Sequence, residues 1–198
     1  LFYGQYTRNT CYFDNNSEMK VRGIPKGKVK KLLLELRKKY GKAIPKTALI
    51  KSVGAPGQGI PFNENVIIAN QLLDSAGWKI SKSGIREKDG RFLQFQLLPD
   101  NPQWYRISEP YKNNLKKIGV DLRIKMVQVA EFEQKVRNFN FDMIVTSFPQ
   151  SRSPGNEQRD MWSSKAAKTP GSRNHMGIQN PAVDELIELI IQAKTRNE

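Results

Sequence analysis

A chain of 198 residues with 38% hydrophobic content, its apolar side chains spread in periodic runs, is long enough to bury a core and too patterned to be disordered. A single cysteine, Cys11, excludes an internal disulfide, and no run of 18 apolar residues is present to span a membrane. The net charge of +14 is local: residues 20–46 hold eleven Lys/Arg against one acid, Glu35, and so carry +10 of it.

The first predicted element lies inside that basic stretch. Val29, Leu32, Leu33, Leu36 and Tyr40 fall on one face of a helix over 29–40, with lysines on the rest. Such a face is either the solvated outside of a docked helix or a contact for phosphate or an anionic membrane. A Gly/Pro loop follows, and a helix is expected over 64–76. Asn63 would cap it, Phe62 would staple onto Ile67, and Val66, Ala69, Leu72, Leu73 and Ala76 would form its buried stripe. Gly77 ends that helix, with Trp78 placed for the contact that follows a glycine cap.

Asp89-Gly90 between two extended runs predicts a hairpin, because a tight turn there needs positive φ at both centres. Leu93, Phe95 and Leu97 alternate with Gln94 and Gln96, a half-buried strand near 92–98. Asn101-Pro102 opens a helix towards Lys117, with a kink expected at Pro110. Residues 120–127 alternate, with Val120, Leu122, Ile124 and Met126 inward. A short helix over 130–138 leads to 141–147, a continuous apolar run of the kind buried on both faces. A last helix, 181–194, is capped by Asn180-Pro181. The order of strands and helices is that of an α/β domain with an open sheet. The chain opens without a methionine and its last helical pattern stops without a terminator, so it is expected to be a piece of a longer protein.

Residues 147–164, "SFPQSRSPGNEQRDMWSS", carry too few apolar residues for core and would sit at the carboxyl end of a strand, where open α/β sheets bind ligands. Catalytic patterns are missing. There is one histidine, His175, read as a loop or cleft-edge residue, and no metal cluster at zinc spacing, nucleophile elbow, dinucleotide loop or P-loop. No enzymatic role, cofactor or metal is expected.

The strings "ANQLLDSAGWKI", "GIREKDGRFLQFQLL", "ISEPYKNNLKKIGVDLRIKMV", "FDMIVTSFPQSRSPGNEQRDMWSS" and "GSRNHMGIQNPAVDELIELIIQAK" together resemble the C-terminal lobe of the extracellular solute-binding proteins of family 5. Within that family they are most similar to the branch that takes up oligopeptides and microcin-C-like peptide conjugates. The resemblance implies one lobe of a type II periplasmic-binding-protein clamshell, an open mixed sheet flanked by helices, spanning residues 1–198. It further implies an oligopeptide ligand, an ABC permease as partner, a larger N-terminal lobe and a final segment outside this chain, and the periplasm of a Gram-negative bacterium as its place.

The loops that such a lobe would present supply the candidate binding residues: Phe148, Gln150, Ser151, Arg152, Asn156, Glu157, Arg159, Asp160 and Trp162, with Arg173 and Asn174 in a second polar loop. The arginines suit a carboxylate, and Trp162 is either an apolar wall or an anchor. One departure stands out. Where peptide binders of the family place an Asp that holds the ligand's α-ammonium, this chain has Gln150-Ser151. Either Glu157 or Asp160 takes that role, or the ligand is gripped differently. The competing reading is a nucleic-acid-binding module built on residues 20–46, although that segment interleaves only one aromatic, Tyr40, among its basic residues.

Overall fold

The computed structural model describes residues 7–149 and 153–195. In chain order the helices are α1 Gly27–Tyr40, α2 Thr47–Ile50, α3 Phe62–Ser75, α4 Pro102–Lys116, α5 Val129–Arg137, α6 Glu157–Trp162 and α7 Pro181–Gln192. The strands are β1 Lys79–Ile80, β2 Arg86–Lys88, β3 Arg91–Phe92, β4 Gln94–Leu98, β5 Asp121–Ile124 and β6 Met143–Ile144. The described residues separate into two compact units, one of residues 57–147 and one of residues 7–56 with 148–195.

The first unit is α/β, with strands of both senses in two sheets. β1, β2 and β3 form an antiparallel ribbon, and its turn has Asp89 at φ 51° and Gly90 at φ 73°, as the Asp-Gly signal requires. The second sheet is parallel, in the order β5-β4-β6, and the crossovers through α4 and α5 join its strands. β4 is therefore central, but only in part. Leu97 has partners on both sides and Leu98 pairs with β6, while Gln94 to Gln96 pair with β5 alone. That difference corrects the expected alternation: Leu97 and Leu98 are both buried, and Phe95 is exposed.

β6 is shorter and wetter than the run 141–147 suggested. The Asp142 carboxylate accepts from the Gln96 backbone N–H at 2.8 Å, taking the donor that a longer ladder would use. Val120 and Leu122 are buried as the 120–127 pattern predicts, whereas Met126 lies past the end of β5 and is exposed. α4 begins as expected. The Asn101 side chain accepts from the Gln103 and Trp104 N–H groups, and Pro110 is carried inside the helix.

α3 departs from its predicted start and face. Its cap position is Pro61 and no side chain caps it, so Asn63 lies within the first turn. Phe62 and Ile67 are exposed rather than stapled, and the Lys117 ammonium lies 4.7 Å from the Phe62 ring centroid. Val66, Ala69 and Leu73 are half-buried, while Leu72 and Ala76 face water. The reason is polar: α3 turns Asn70 and Asp74 towards the Arg86 guanidinium. Its C-terminus is the predicted glycine cap, with Gly77 at φ 88°, Gly77 N–H donating to Asp74 O and Trp78 N–H to Leu73 O.

Arg86 is 1% exposed. Its Nε donates to Ile118 O at 2.8 Å, Nη1 to Asp74 Oδ1 at 2.8 Å and to Trp78 O, and Nη2 to Asn70 Oδ1 at 2.7 Å. The Arg86 backbone N–H also donates to Gly119 O at 2.7 Å. At Gly119, φ is 76° and a Cβ would fall 2.5 Å from Ile80 Cδ1 and 2.8 Å from Arg86 Cγ, so only glycine fits.

In the second unit, Leu36, Ile44 and Ala182 form a core flanked by Leu32, Leu33, Tyr40, Ala43, Ala48 and Leu186. α1 thus packs the predicted face, except that Val29, one turn before Leu32, is exposed. Asn180 caps α7 through Ala182 and Val183 N–H while its own amide donates to Ala43 O at 2.9 Å, which ties α7 to the end of α1. Tyr40 Oη and Lys39 Nζ both donate to Glu185 Oε2, at 2.6 and 2.7 Å.

Arg86→Ala is expected to lower unfolding free energy by about 3–5 kcal/mol, the cost of breaking a buried, hydrogen-bonded charge. Asp74→Asn, at a carboxylate half open to water, is expected to cost clearly less. Urea denaturation of both variants measures the difference.

Candidate ligand-binding site

The loop after β6 reaches the second unit at Phe148, and its described part settles around an aromatic cluster. Phe148 stacks on Trp162 with centroids 5.3 Å apart and planes at 29°. Tyr12 meets the Trp162 ring edge-on at 4.8 Å and Phe148 at 6.3 Å, and its hydroxyl donates to Met161 Sδ at 3.2 Å. His175 lies 6.1 Å from Phe148 on the second loop. Trp162 is anchored: its ring is half-buried in this cluster, and Nε1–H donates to Gln158 Oε1 at 3.1 Å.

Charged groups flank the cluster. Arg173 Nε donates to Asp160 Oδ2 at 2.7 Å, and both side chains remain more than 40% exposed. Asp160 Oδ1 has no hydrogen-bond partner among the described residues. Both groups act on His175: burial, first, holds its imidazole below the ordinary value of 6.5, Asp160 opposes that, and Arg173 adds to it. The Tyr12 hydroxyl is pushed up chiefly by burial, with Arg173 lowering it and Glu157 raising it. Beside the pair runs an open groove of about 470 Å³ whose lining includes Arg159, Asp160, Ser163, Lys165, Asp184 and Glu188.

The other candidates are placed differently. Arg159 forks onto Glu188, Nε to Oε1 at 2.7 Å and Nη2 to Oε2 at 2.6 Å, and Nη1 donates to Asn156 Oδ1 at 2.7 Å. This pair joins α6 to α7, so Asn156 and Arg159 spend their polar atoms inside the unit. Glu157 Oε1 accepts from Gly155 N–H at 2.8 Å and from Gln158 Nε2 at 3.1 Å, which folds the loop into α6. Asn174 is not a cleft residue. It is 0% exposed, its Nδ2 donates to Ser163 O and Ile178 O, and its Oδ1 accepts from Ile178 N–H, so the whole amide is consumed in closing its own loop and tying it to the end of α6. Gln150, Ser151 and Arg152 lie outside the described residues.

Sequence reading missed Tyr12. It stands in an irregular segment near the start of the chain, where no hydrophobic period marks it; the density of aromatics from Phe2 to Phe13 was the available signal. The loop frame was legible only in part. Ser164 N–H and Oγ both donate to the Asp184 carboxylate, at 2.7 and 2.6 Å, a contact across 20 residues that no local pattern announces.

Residues 31–170 match the model of the bacterial extracellular solute-binding proteins, family 5 Middle. Over 197 residues the chain is 36% identical to protein y4wM of Sinorhizobium fredii, covering 99% of this chain and 29% of that one. It is 34% identical to the probable peptide-binding protein YejA of Agrobacterium fabrum, covering all of this chain and 32% of the relative. The chain therefore spans about a third of the length of these relatives. Among solved structures, the oligopeptide-binding protein AppA of Bacillus subtilis, in complex with a nonapeptide, superposes with a TM-score of 0.57. That match has 21% identity and covers 85% of this chain and 34% of that one, a likeness of fold.

Two measurements check the geometry. Asn174→Ala is expected to cost about 1–3 kcal/mol by stranding the groups it pairs. Burial favours the neutral form of His175 in the fold relative to the unfolded chain, so its contribution is fully present above pH 6.5 and shrinks as pH falls below that value. His175→Gln should flatten that part of the stability–pH profile, read by thermal melts between about pH 5 and 8.

Proposed function

Since the chain belongs to the bacterial extracellular solute-binding proteins of family 5, we propose that it forms the C-terminal lobe of the peptide-binding component of an ABC importer. The parent protein captures an oligopeptide between this lobe and a larger N-terminal one, in the periplasm, and delivers it to the permease. The observation that carries this reading to particular residues is the exposed Asp160–Arg173 pair set beside the aromatic cluster of Tyr12, Phe148 and Trp162.

That arrangement suits a peptide. An apolar wall covers side chains without demanding one shape, while a carboxylate and a guanidinium offer one partner each to an ammonium and a carboxylate. Asp160 is the better candidate than Glu157 for the ammonium, because Glu157 already accepts from Gly155 and Gln158 whereas Asp160 keeps an oxygen open. Arg173 is the matching candidate for an anionic group. Phe148 and Trp162 serve as the wall; Asn156 and Arg159 hold α6 in place. Gln150, Ser151 and Arg152 remain proposed ligand contacts from the sequence alone. No catalytic step is assigned.

In the complete protein, Asp160→Asn and Arg173→Ala are each expected to weaken peptide binding by about 1.5–3 kcal/mol, the range for hydrogen bonds to charged groups. Arg159→Ala is expected to leave affinity unchanged and to lower stability instead. Titration calorimetry with ligand identified by mass spectrometry from the purified parent decides this; wild-type affinity in both of the first two variants would show that the loops only support the fold. The 198-residue chain alone offers one wall of a cleft. It is expected to bind no tri- to pentapeptide detectably at roughly tens of micromolar, since one wall leaves the ligand half solvated against the entropy cost of association.

A further inference from the structure

The outer face of α1 has a composition that its role in packing does not require. Leu32, Leu33, Leu36 and Tyr40 point towards the core and α7. On the opposite side of the same helix Leu34 stands 48% exposed. Helical spacing surrounds it with Lys30 and Lys31, four and three residues before, and Lys38, four after. All three lysines are exposed and none has an ion pair among the described residues, whereas Lys39 is neutralised by Glu185 and Lys20 by Asp14. Glu35, the one acid of the segment, lies on the flank, a third of a turn from Leu34. Just before the helix, Val21 and Ile24 are also exposed between Lys20, Arg22 and Lys26.

We propose that this face is a peripheral docking surface for an anionic phospholipid bilayer. Lys30, Lys31 and Lys38 would meet headgroup phosphates, and Leu34, with Val21 and Ile24, would enter the interfacial layer. The charge is complementary to such a surface, and apolar tips ringed by lysines are what an interfacial helix needs: the ammonium groups stay in the headgroup plane while the aliphatic part loses contact with water. Among the described residues no helix is long and apolar enough to cross a membrane. A nucleic acid fits less well. Its backbone would satisfy the lysines but leave Leu34, Val21 and Ile24 in water, and Tyr40, the one aromatic available for stacking, is turned to Glu185.

The test is co-sedimentation of the 198-residue chain with vesicles of phosphatidylglycerol and phosphatidylcholine mixed, and of phosphatidylcholine alone, in low and high salt. Binding is expected only to the anionic vesicles, and to fall away as salt is raised. Replacing Lys30, Lys31 and Lys38 together with Gln should weaken it by roughly fivefold per lysine. Leu34→Ser should weaken it while keeping its salt dependence. Circular dichroism and melting points of both variants should stay close to those of the unsubstituted chain, because the lysines are exposed without an ion pair among the described residues and Leu34 is half open to water. Equal binding to neutral vesicles, no binding to either, insensitivity to the triple substitution, or preferential capture by a DNA duplex in the same assay would each overturn the proposal.

Discussion

A guanidinium withdrawn from water must find acceptors for its donors, and Arg86 finds them on four residues from three stretches of chain at once. Asn70 and Asp74 come from α3, the Trp78 carbonyl from the turn that ends α3, and the Ile118 carbonyl from the end of α4. Both carbonyls lie just past a helix, Trp78 beyond the cap of α3 and Ile118 beyond the cap of α4. The ion therefore ties the segments that follow two helices to the hairpin that bears it. Its cost of desolvation is offset by the number of charge-assisted bonds, one of them to a carboxylate held below the usual carboxylate range by Arg86 itself. Gly119 follows from the same arrangement, since the chain must pass the Arg86 side chain at a distance no Cβ permits.

The second unit solves a different problem, holding two polar loops still with little apolar material. Asn174 closes one loop on itself, Ser164 ties the other to Asp184, and the Arg159–Glu188 fork clamps α6 to α7. These bonds leave the Asp160–Arg173 pair as the exposed charged feature next to the aromatic cluster. For the site proposed above, these bonds would hold the described residues of the loops in place before a ligand arrives, so that less of the interaction energy would be lost to fixing them on association.

How much of this the sequence disclosed depends on the range of the interaction concerned. Signals within a few residues translated directly: the Asp89-Gly90 turn, the Asn101 and Asn180 caps, the Gly77 terminus and the strands that carry Leu97 and Leu122. Period alone misjudged α3, because a buried arginine reverses the usual reading of a helix face and draws Asn70 and Asp74 inward while Leu72 faces water. In the candidate site the residue types were legible and their partners were not. Asn174 and Arg173 are neighbours in one polar loop, yet the first is consumed internally and the second reaches Asp160, a distinction set by contacts that local pattern does not carry.

The side chain of Asp142 has an effect on what the parallel sheet can join. By occupying the Gln96 donor it blocks the ladder before Met143, and with β6 only two residues long that edge presents too short a row of backbone groups to recruit a further strand. Extended chains are natural strand partners of any open sheet edge. A carboxylate in place of one more rung shortens what this edge can offer them and so works against self-association there.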